Sequence, residues 1–435
     1  MLVLAALVPG HLAGVRRRRW AGVMALGLVW GTPVSAQHLL VPMDLGQRDH
    51  LKAYGLAFRS LSLGIDVEWT LNYRGGAFLM PSLPTLIADA RLRGVTVESL
   101  DPAGASALRA RIAEGNMDIV LLEKAPEIAV YTPPNKNPWD DAVTLALSYA
   151  EIPYATVWDD ELLAGEGDRY DWLHLHHEDF TGQLGKFYAT HRTATWYREA
   201  SERNRDAAAR LGLASTPALK RRVAVAIRSY VERGGFLFAM CSATETLDVA
   251  LAALGVDMVA RPFDGTPADP LANEKLDFSG CLAFRGFRAE LDPMVNSISN
   301  IDVEQVNNSA LRQDTRDFRL FEFAAKYDPV ASMLVQNHVA NIGGFYGQTT
   351  SFRRGLVRES VVVLGEVPGT DRVRYLHGNK GLGTFTFLGG HDPEDAQHVI
   401  HDQPTALELH PNSPGYRLIL NNVLFPAARK KDLET

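Results

Sequence analysis

The chain predicts an α/β protein built on a doubly wound, mostly parallel sheet, and three observations carry that expectation. Short apolar runs alternate with helical periodicities along most of its 435 residues. Helical segments close on glycine, as at Gly64, Gly94 and Gly234-Gly235. The run Phe236 to Met240 is continuously apolar, the pattern of a strand buried on both faces.

Taken in order, His38 to Met43 reads as a strand, Asp49 to Leu63 as a helix, Ile65 to Leu71 as a second strand, Leu83 to Arg93 as a helix and Val95 to Val97 as a strand. This N-terminal βαβ segment, 37–125, ends near Lys124-Ala125-Pro126, where the pattern restarts with Ile128 to Tyr131. In the second segment, 126–435, Asp140 to Ala150 reads as a helix with a capping acid. Tyr154 to Trp158 and Trp172 to His176 read as strands, and Leu219 to Arg233 as a helix leading into the Phe236 strand. Thr244 to Leu254 continues as a helix, so Cys241 falls at a strand-to-helix turn. From about 255 to 328 Pro, Gly, Asn and Ser interrupt the pattern, which reads as an insertion; strands return at Ser360 to Val367, Arg372 to Leu376 and Gly383 to Leu388, before a final helix from Tyr416 to Leu424.

Composition bounds the function. The first 36 residues carry a basic cluster, Arg16 to Arg19, an apolar run, Ala21 to Gly31, and small residues Val34-Ser35-Ala36, which together read as a secretory signal peptide. The run is about half of the roughly 20 residues that span a bilayer, so no membrane anchor is expected after cleavage and the mature protein is expected in the periplasm or outside the cell. Cleavage removes four arginines and no acid, taking the formal net charge from −7 to −11. Such acidity disfavours nucleic acid, whose phosphates need a basic footprint. Two cysteines, Cys241 and Cys281, make no disulfide framework; they pair with each other or remain thiols.

From Ile128 onward the order of parts is a strand and helix, a Tyr170-Asp171 strand, a helix, Gly-Gly, an apolar strand, a cysteine elbow, and a strand delivering Gly389-Gly390-His391 ahead of Pro393-Glu394. This order resembles the class I glutamine amidotransferase superfamily, and the resemblance implies a flavodoxin-like sheet with Cys241 as nucleophile, His391 as its base and Glu394 as the orienting acid. The physics of such a site is coherent, because a thiol at the first turn of a helix meets the positive end of the dipole and free N–H groups. Ala239, Ser242 and Ala243 supply the small neighbours that a tight turn needs. Two features depart from the family pattern: alanines at 239 and 243 where glycines are usual, and Asp392 between the histidine and Pro393-Glu394, which leaves Asp392 or Asp395 as alternative acids. Cys241 is otherwise a buried structural thiol, His391 a turn residue and Glu394 a helix cap.

His174, His176, His177 and Glu178 form the other candidate. Strand alternation turns His174 and His176 to one face, where they contact substrate or, as the lesser alternative, a metal. Arg74, in Asn72-Tyr73-Arg74-Gly75-Gly76, offers an anion or carbohydrate contact, against the plainer reading of a turn. The opening Leu40 to Asp44 with His50 to Gly55 also resembles exported bacterial proteins that carry an asparagine-synthetase-B-type name. That activity lacks its motifs here, since no cysteine stands at the mature start and no Ser-Gly-Gly-x-Asp-Ser loop occurs. The expectation is therefore an exported amidotransferase-like hydrolase or transferase acting on an amide or acyl substrate, with no cofactor and no metal. Its oxyanion donors would lie near Ser242 and the His177-Glu178 strand end. The alternative is a non-catalytic module that binds a sugar or peptide in the same crevice.

Overall fold

Two sheets organise the chain, one before residue 123 and one after residue 127. The computed structural model describes residues 37–134, 141–302, 317–335, 339–345, 348–395 and 403–429; the expected signal peptide, 1–36, lies outside them. The first sheet holds β1 (His38–Val41), β2 (Val67–Leu71), β3 (Ala77–Pro81), β4 (Glu98–Leu100) and β5 (Asp118–Leu122), in the order β4-β1-β3-β2-β5. Every pairing in it is antiparallel.

That corrects the parallel βαβ expected for 37–125, and the reason is local. The sequence reading passed over β3, which follows β2 after residues 72–76 alone, and so short a link closes a hairpin where a parallel crossover needs a dozen residues or more. Asn72, Arg74, Gly75 and Gly76 all take positive φ in this turn, and a Cβ on Gly75 would stand 2.2 Å from the Met43 carbonyl oxygen.

The second sheet is mixed. Its parallel half comprises β6 (Ile128–Tyr131), β7 (Ala155–Val157), β8 (Trp172–Leu175) and β9 (Phe236–Met240), joined by β15 (Gly383–Leu388), in the order β15-β9-β8-β6-β7. Its antiparallel half runs outward from β15 through β14 (Arg372–Lys380), β13 (Val362–Glu366), β10 (Phe318–Leu320) and β11 (Asn341–Ile342), with β12 (Phe352–Arg353) paired to β14. The sheet is therefore not mostly parallel, because short links fold β13, β14 and β15 into successive hairpins. β10 also lies within the stretch read as an insertion.

Alternate residues of the parallel strands feed two cores. Trp172, Phe238 and Met240 face the side on which Val41, Trp69 and Phe78 of the first sheet meet Leu418, Leu420 and Leu424 of the C-terminal helix Pro414–Leu424. Leu173, Leu237 and Ala239 face the other side, against Val223 and Ile227 of helix Thr216–Glu232 and Leu247 of helix Ser242–Ala252. Buried polar groups tie the first core together. Arg417 donates to the Met43 and Gly75 carbonyls, Asn421 to the Val335 carbonyl, and the Trp172 indole to the Asn422 carbonyl. All described residues belong to one compact unit, Ala36–Thr435. Among them no helix is long and apolar enough to cross a membrane.

In the parallel half β8 lies on one side of β6 and β7 on the other, so the direction of winding reverses between β6 and β8. The crevice beyond the carboxyl ends of strands at such a reversal is where open α/β sheets bind ligands. The candidate residues gather there.

Candidate functional site

The elbow begins with β9, whose five residues are all buried, and ends at the first turn of helix Ser242–Ala252. Cys241 joins them with φ 49° and ψ −140°, a backbone conformation that a side chain tolerates only at a cost of about 1–3 kcal/mol. Neighbouring chains hold it there. The Cys241 N–H donates to the Gly390 carbonyl at 3.1 Å, and the Ala243 N–H to the His176 carbonyl at 3.0 Å; the Thr244 hydroxyl closes on the Cys241 carbonyl at 2.7 Å. Ala239, Ser242 and Ala243 are fully buried, so the small side chains expected from sequence are what the turn accommodates, and it forms without flanking glycines.

β15 runs parallel to β9, with Leu388 opposite Met240, so His391 leaves the sheet at the same edge as Cys241. Gly389 and Gly390 shape that exit by donating to the Arg374 and Thr349 carbonyls, each at 2.7 Å. Gly390 has φ 94°, and a Cβ there would stand 2.0 Å from the Phe345 carbonyl oxygen. The His391 ring meets His176 edge-on, with centroids 4.0 Å apart, and stacks on His177 at 6.0 Å.

Two of the acids after His391 have other partners. Glu394 pairs with His410 at 3.1 Å, and Asp392 accepts the Tyr416 hydroxyl at 2.7 Å and the Glu394 N–H at 2.8 Å. A carboxylate that reaches His174 and His176 is Asp141, the N-cap of helix Ala142–Tyr149, whose Oδ1 accepts the Val143 N–H. The same oxygen lies 3.2 Å from His174 Nε2 and 3.2 Å from His176 Nδ1, so alternation along β8 does turn these two rings to one side, onto a shared acid. His174 Nδ1 lies 3.0 Å from the Phe238 carbonyl, which fixes the ring between β8 and β9. Burial works against ionisation of Asp141, but His174 and His176 outweigh it and hold the carboxyl well below the usual carboxylate range.

Electrostatics at the thiol run the other way. Burial pushes the Cys241 thiol up, and the backbone N–H groups of Gln348, Thr349 and Ser242 that point at the sulfur offset this only in part. The thiol is 2% exposed and His391 is 1% exposed. Arg374, buried on β14, fixes the segment that supplies two of those donors by bonding to the Thr350 carbonyl at 2.6 Å and the Phe345 carbonyl at 2.8 Å. Cys281 is a separate buried thiol that donates to the Asp248 carbonyl at 3.4 Å, and both cysteines are unpaired.

One turn beyond Cys241, burial pushes the Glu245 carboxyl up to about 7, even though the Ser299 and Thr349 hydroxyls donate to it. The folded protein then keeps this proton between pH 4.5 and 7 while the unfolded chain releases it, so the group removes stability as pH rises through that window. In Glu245→Gln the neutral isostere abolishes the effect. Its stability relative to the parent, from denaturant midpoints, should climb from near zero at acid pH to roughly 2–3 kcal/mol at pH 8. A difference that stays flat with pH would show an ordinary carboxyl.

The remaining candidates divide. His177 joins the ring cluster, Ser242 is buried beside the sulfur, and Glu178 contributes its carbonyl to the Thr246 hydroxyl. Arg74 is held by Asp44 at 2.6 Å and Glu98 at 2.7 Å, so its charge is already matched within the first segment. Asp141, Glu245 and Arg374 were not singled out as site residues from sequence. A capping acid at the start of a helix signalled the first only as a cap, and nothing in the local pattern marks the other two.

No protein-family model matches the chain, and no curated protein matches it. Among solved structures it is similar to a cytoplasmic protein from Salmonella typhimurium, at 10% identity and a TM-score of 0.33, covering 70% of this chain and 100% of that one. It is also similar to a candidate GMP synthase component from Thermoplasma acidophilum, at 8% identity and a TM-score of 0.32, covering 69% and 94%. A beta-galactosidase from Bacillus circulans sp. alkalophilus follows at 13% identity and a TM-score of 0.25, covering 67% and 32%. Scores this low decide neither topology nor chemistry, and the reading below rests on the residues.

Proposed function

We propose that the chain is an exported hydrolase or transferase of the class I glutamine amidotransferase-like kind, in which Cys241 attacks an amide or related acyl carbon. The observation that carries this reading is the Cys241 backbone, held at φ 49° between a central parallel strand and a helix, where strain is maintained by the surrounding hydrogen bonds. Because burial keeps the resting thiol protonated, attack is coupled to proton transfer onto His391. The sulfur–carbon bond forms as the imidazole takes the proton, and the imidazolium returns it to the departing amine. Water then cleaves the thioester by the same route. The N–H groups of Ser242, Gln348 and Thr349 are the donors within reach of the developing oxyanion.

The second reading, a non-catalytic binding module, draws on the burial of both Cys241 and His391. Acyl trapping separates the two. Incubated with an activated ester, the mature protein should gain one acyl group by intact mass, localised to Cys241 and lost in Cys241→Ala. Acylation at Cys281 alone, or none, would favour the binding module.

A further inference from the structure

We infer that His176, His177 and His391 form a binding site for a zinc-class divalent cation, oriented from behind by Asp141. One nitrogen from each of the three rings lies within 4.8 Å of the other two. In a tetrahedral zinc site with Zn–N distances of 2.0–2.1 Å, ligand nitrogens stand about 3.3 Å apart, so modest ring rotations close the set. His176 is 3% exposed; its Nδ1 lies 3.2 Å from Asp141 Oδ1, and neither ring nitrogen has a partner in hydrogen-bond geometry among the described residues. A buried histidine with a carboxylate beside one nitrogen and two further imidazoles within reach has the surroundings by which proteins orient a metal ligand.

The neighbouring trio of Asp141, His174 and His176 does not serve, because His174 spends its two nitrogens on the Phe238 carbonyl and on Asp141. Asp141 follows β6 and His176 follows β8, so the cluster sits at the winding reversal, where such sheets bind ligands. Three imidazoles suit zinc among the common cations and leave a fourth position for water or substrate. From sequence a metal ranks below substrate contact, because alternating strand residues followed by a polar exit loop explain His174 and His176 as well. The third and fourth rings arrive from the turn after β8 and from β15.

The inference stands apart from the hydrolase reading. Metal bound through His391 would draw on the imidazole that the hydrolase reading uses as base, so metal loading should suppress hydrolysis. The test uses untagged mature protein stripped with chelator and titrated with Co²⁺, then with Zn²⁺ in competition. One equivalent of Co²⁺ should bind, with the visible absorption of a four-coordinate nitrogen site, and Zn²⁺ should displace it. His177→Ala and His176→Ala should abolish the signal, Asp141→Asn should weaken affinity about 10–100-fold, and Cys241→Ala should retain binding. The inference is overturned if Co²⁺ fails to bind stoichiometrically, or if binding survives unchanged in His177→Ala, whose side chain is half-buried and can be removed without disturbing the core.

Discussion

Replacing Cys241 by alanine is expected to abolish turnover of any amide or ester the protein hydrolyses, by about 10³-fold or more, since removing a nucleophile leaves only binding and oxyanion stabilisation. A second consequence follows from the backbone. Alanine and cysteine both carry a Cβ into φ 49°, whereas glycine does not, so Cys241→Gly should be more stable than Cys241→Ala by about 1 kcal/mol after glycine's larger unfolded-state entropy is deducted. The helix start supports the same sign, because glycine serves at an N-cap better than alanine does. Activity assays and urea midpoints on the two variants check both effects. A Cys241→Ala protein that keeps its turnover would remove the thiol from the chemistry, and a less stable glycine variant would show that the backbone is not strained.

Asp141→Ala should destabilise the fold by roughly 2–5 kcal/mol, since it removes a helix cap worth about 0.5–2 kcal/mol and leaves buried polar groups unsatisfied at about 1–3 kcal/mol each. The carboxylate caps helix Ala142–Tyr149 through the Val143 N–H and meets His174 and His176 in a region closed to water. Its loss strands two buried imidazoles and an N-terminal amide together. Asp141→Asn keeps a side-chain oxygen for one of these contacts and should cost less than alanine. Equilibrium unfolding at neutral pH measures the series, and a loss under about 1 kcal/mol for alanine would mean that water or a rearranged side chain replaces the acid.

How far the residues foretold these features differs from place to place. Phe236 to Met240 was legible as a buried strand because parallel strands covered on both faces read as unbroken apolar runs, and the helix from Ser242 followed from composition and spacing. The first sheet was misread for want of two strands, β3 and β5. Ala77–Pro81 carries no polar alternation, since four of its five residues are buried, and it ends in a proline, which counts against a strand. Without β3 the hairpin vanished and the remaining strands seemed to need helical crossovers.

At the site, chain order drew attention to Cys241, His391 and the histidines after Trp172, because each ends a strand. Sequence proximity to His391 favoured Glu394, which pairs with His410, while pairing of β6 with β8 brings Asp141 to His174 and His176 from far earlier in the chain. Such a partner depends on sheet order, which no local pattern encodes. The backbone N–H groups that reach the Cys241 sulfur from Gln348 and Thr349 were out of reach, since they lie on a segment far along the chain that Arg374 secures.

The central claim is that His391 serves as proton acceptor for Cys241, and iodoacetamide alkylation of metal-free protein, followed residue by residue with mass spectrometry across pH 6–10, tests it most directly. The account predicts that Cys241 is alkylated at least about tenfold faster in the parent than in His391→Gln at neutral pH, with the difference closing in alkali as hydroxide replaces the base. Cys281, whose thiol burial and Asp248 push strongly upward, should stay unmodified in both. Equal Cys241 rates in parent and variant over the whole range would contradict the pairing and leave the binding module as the better description.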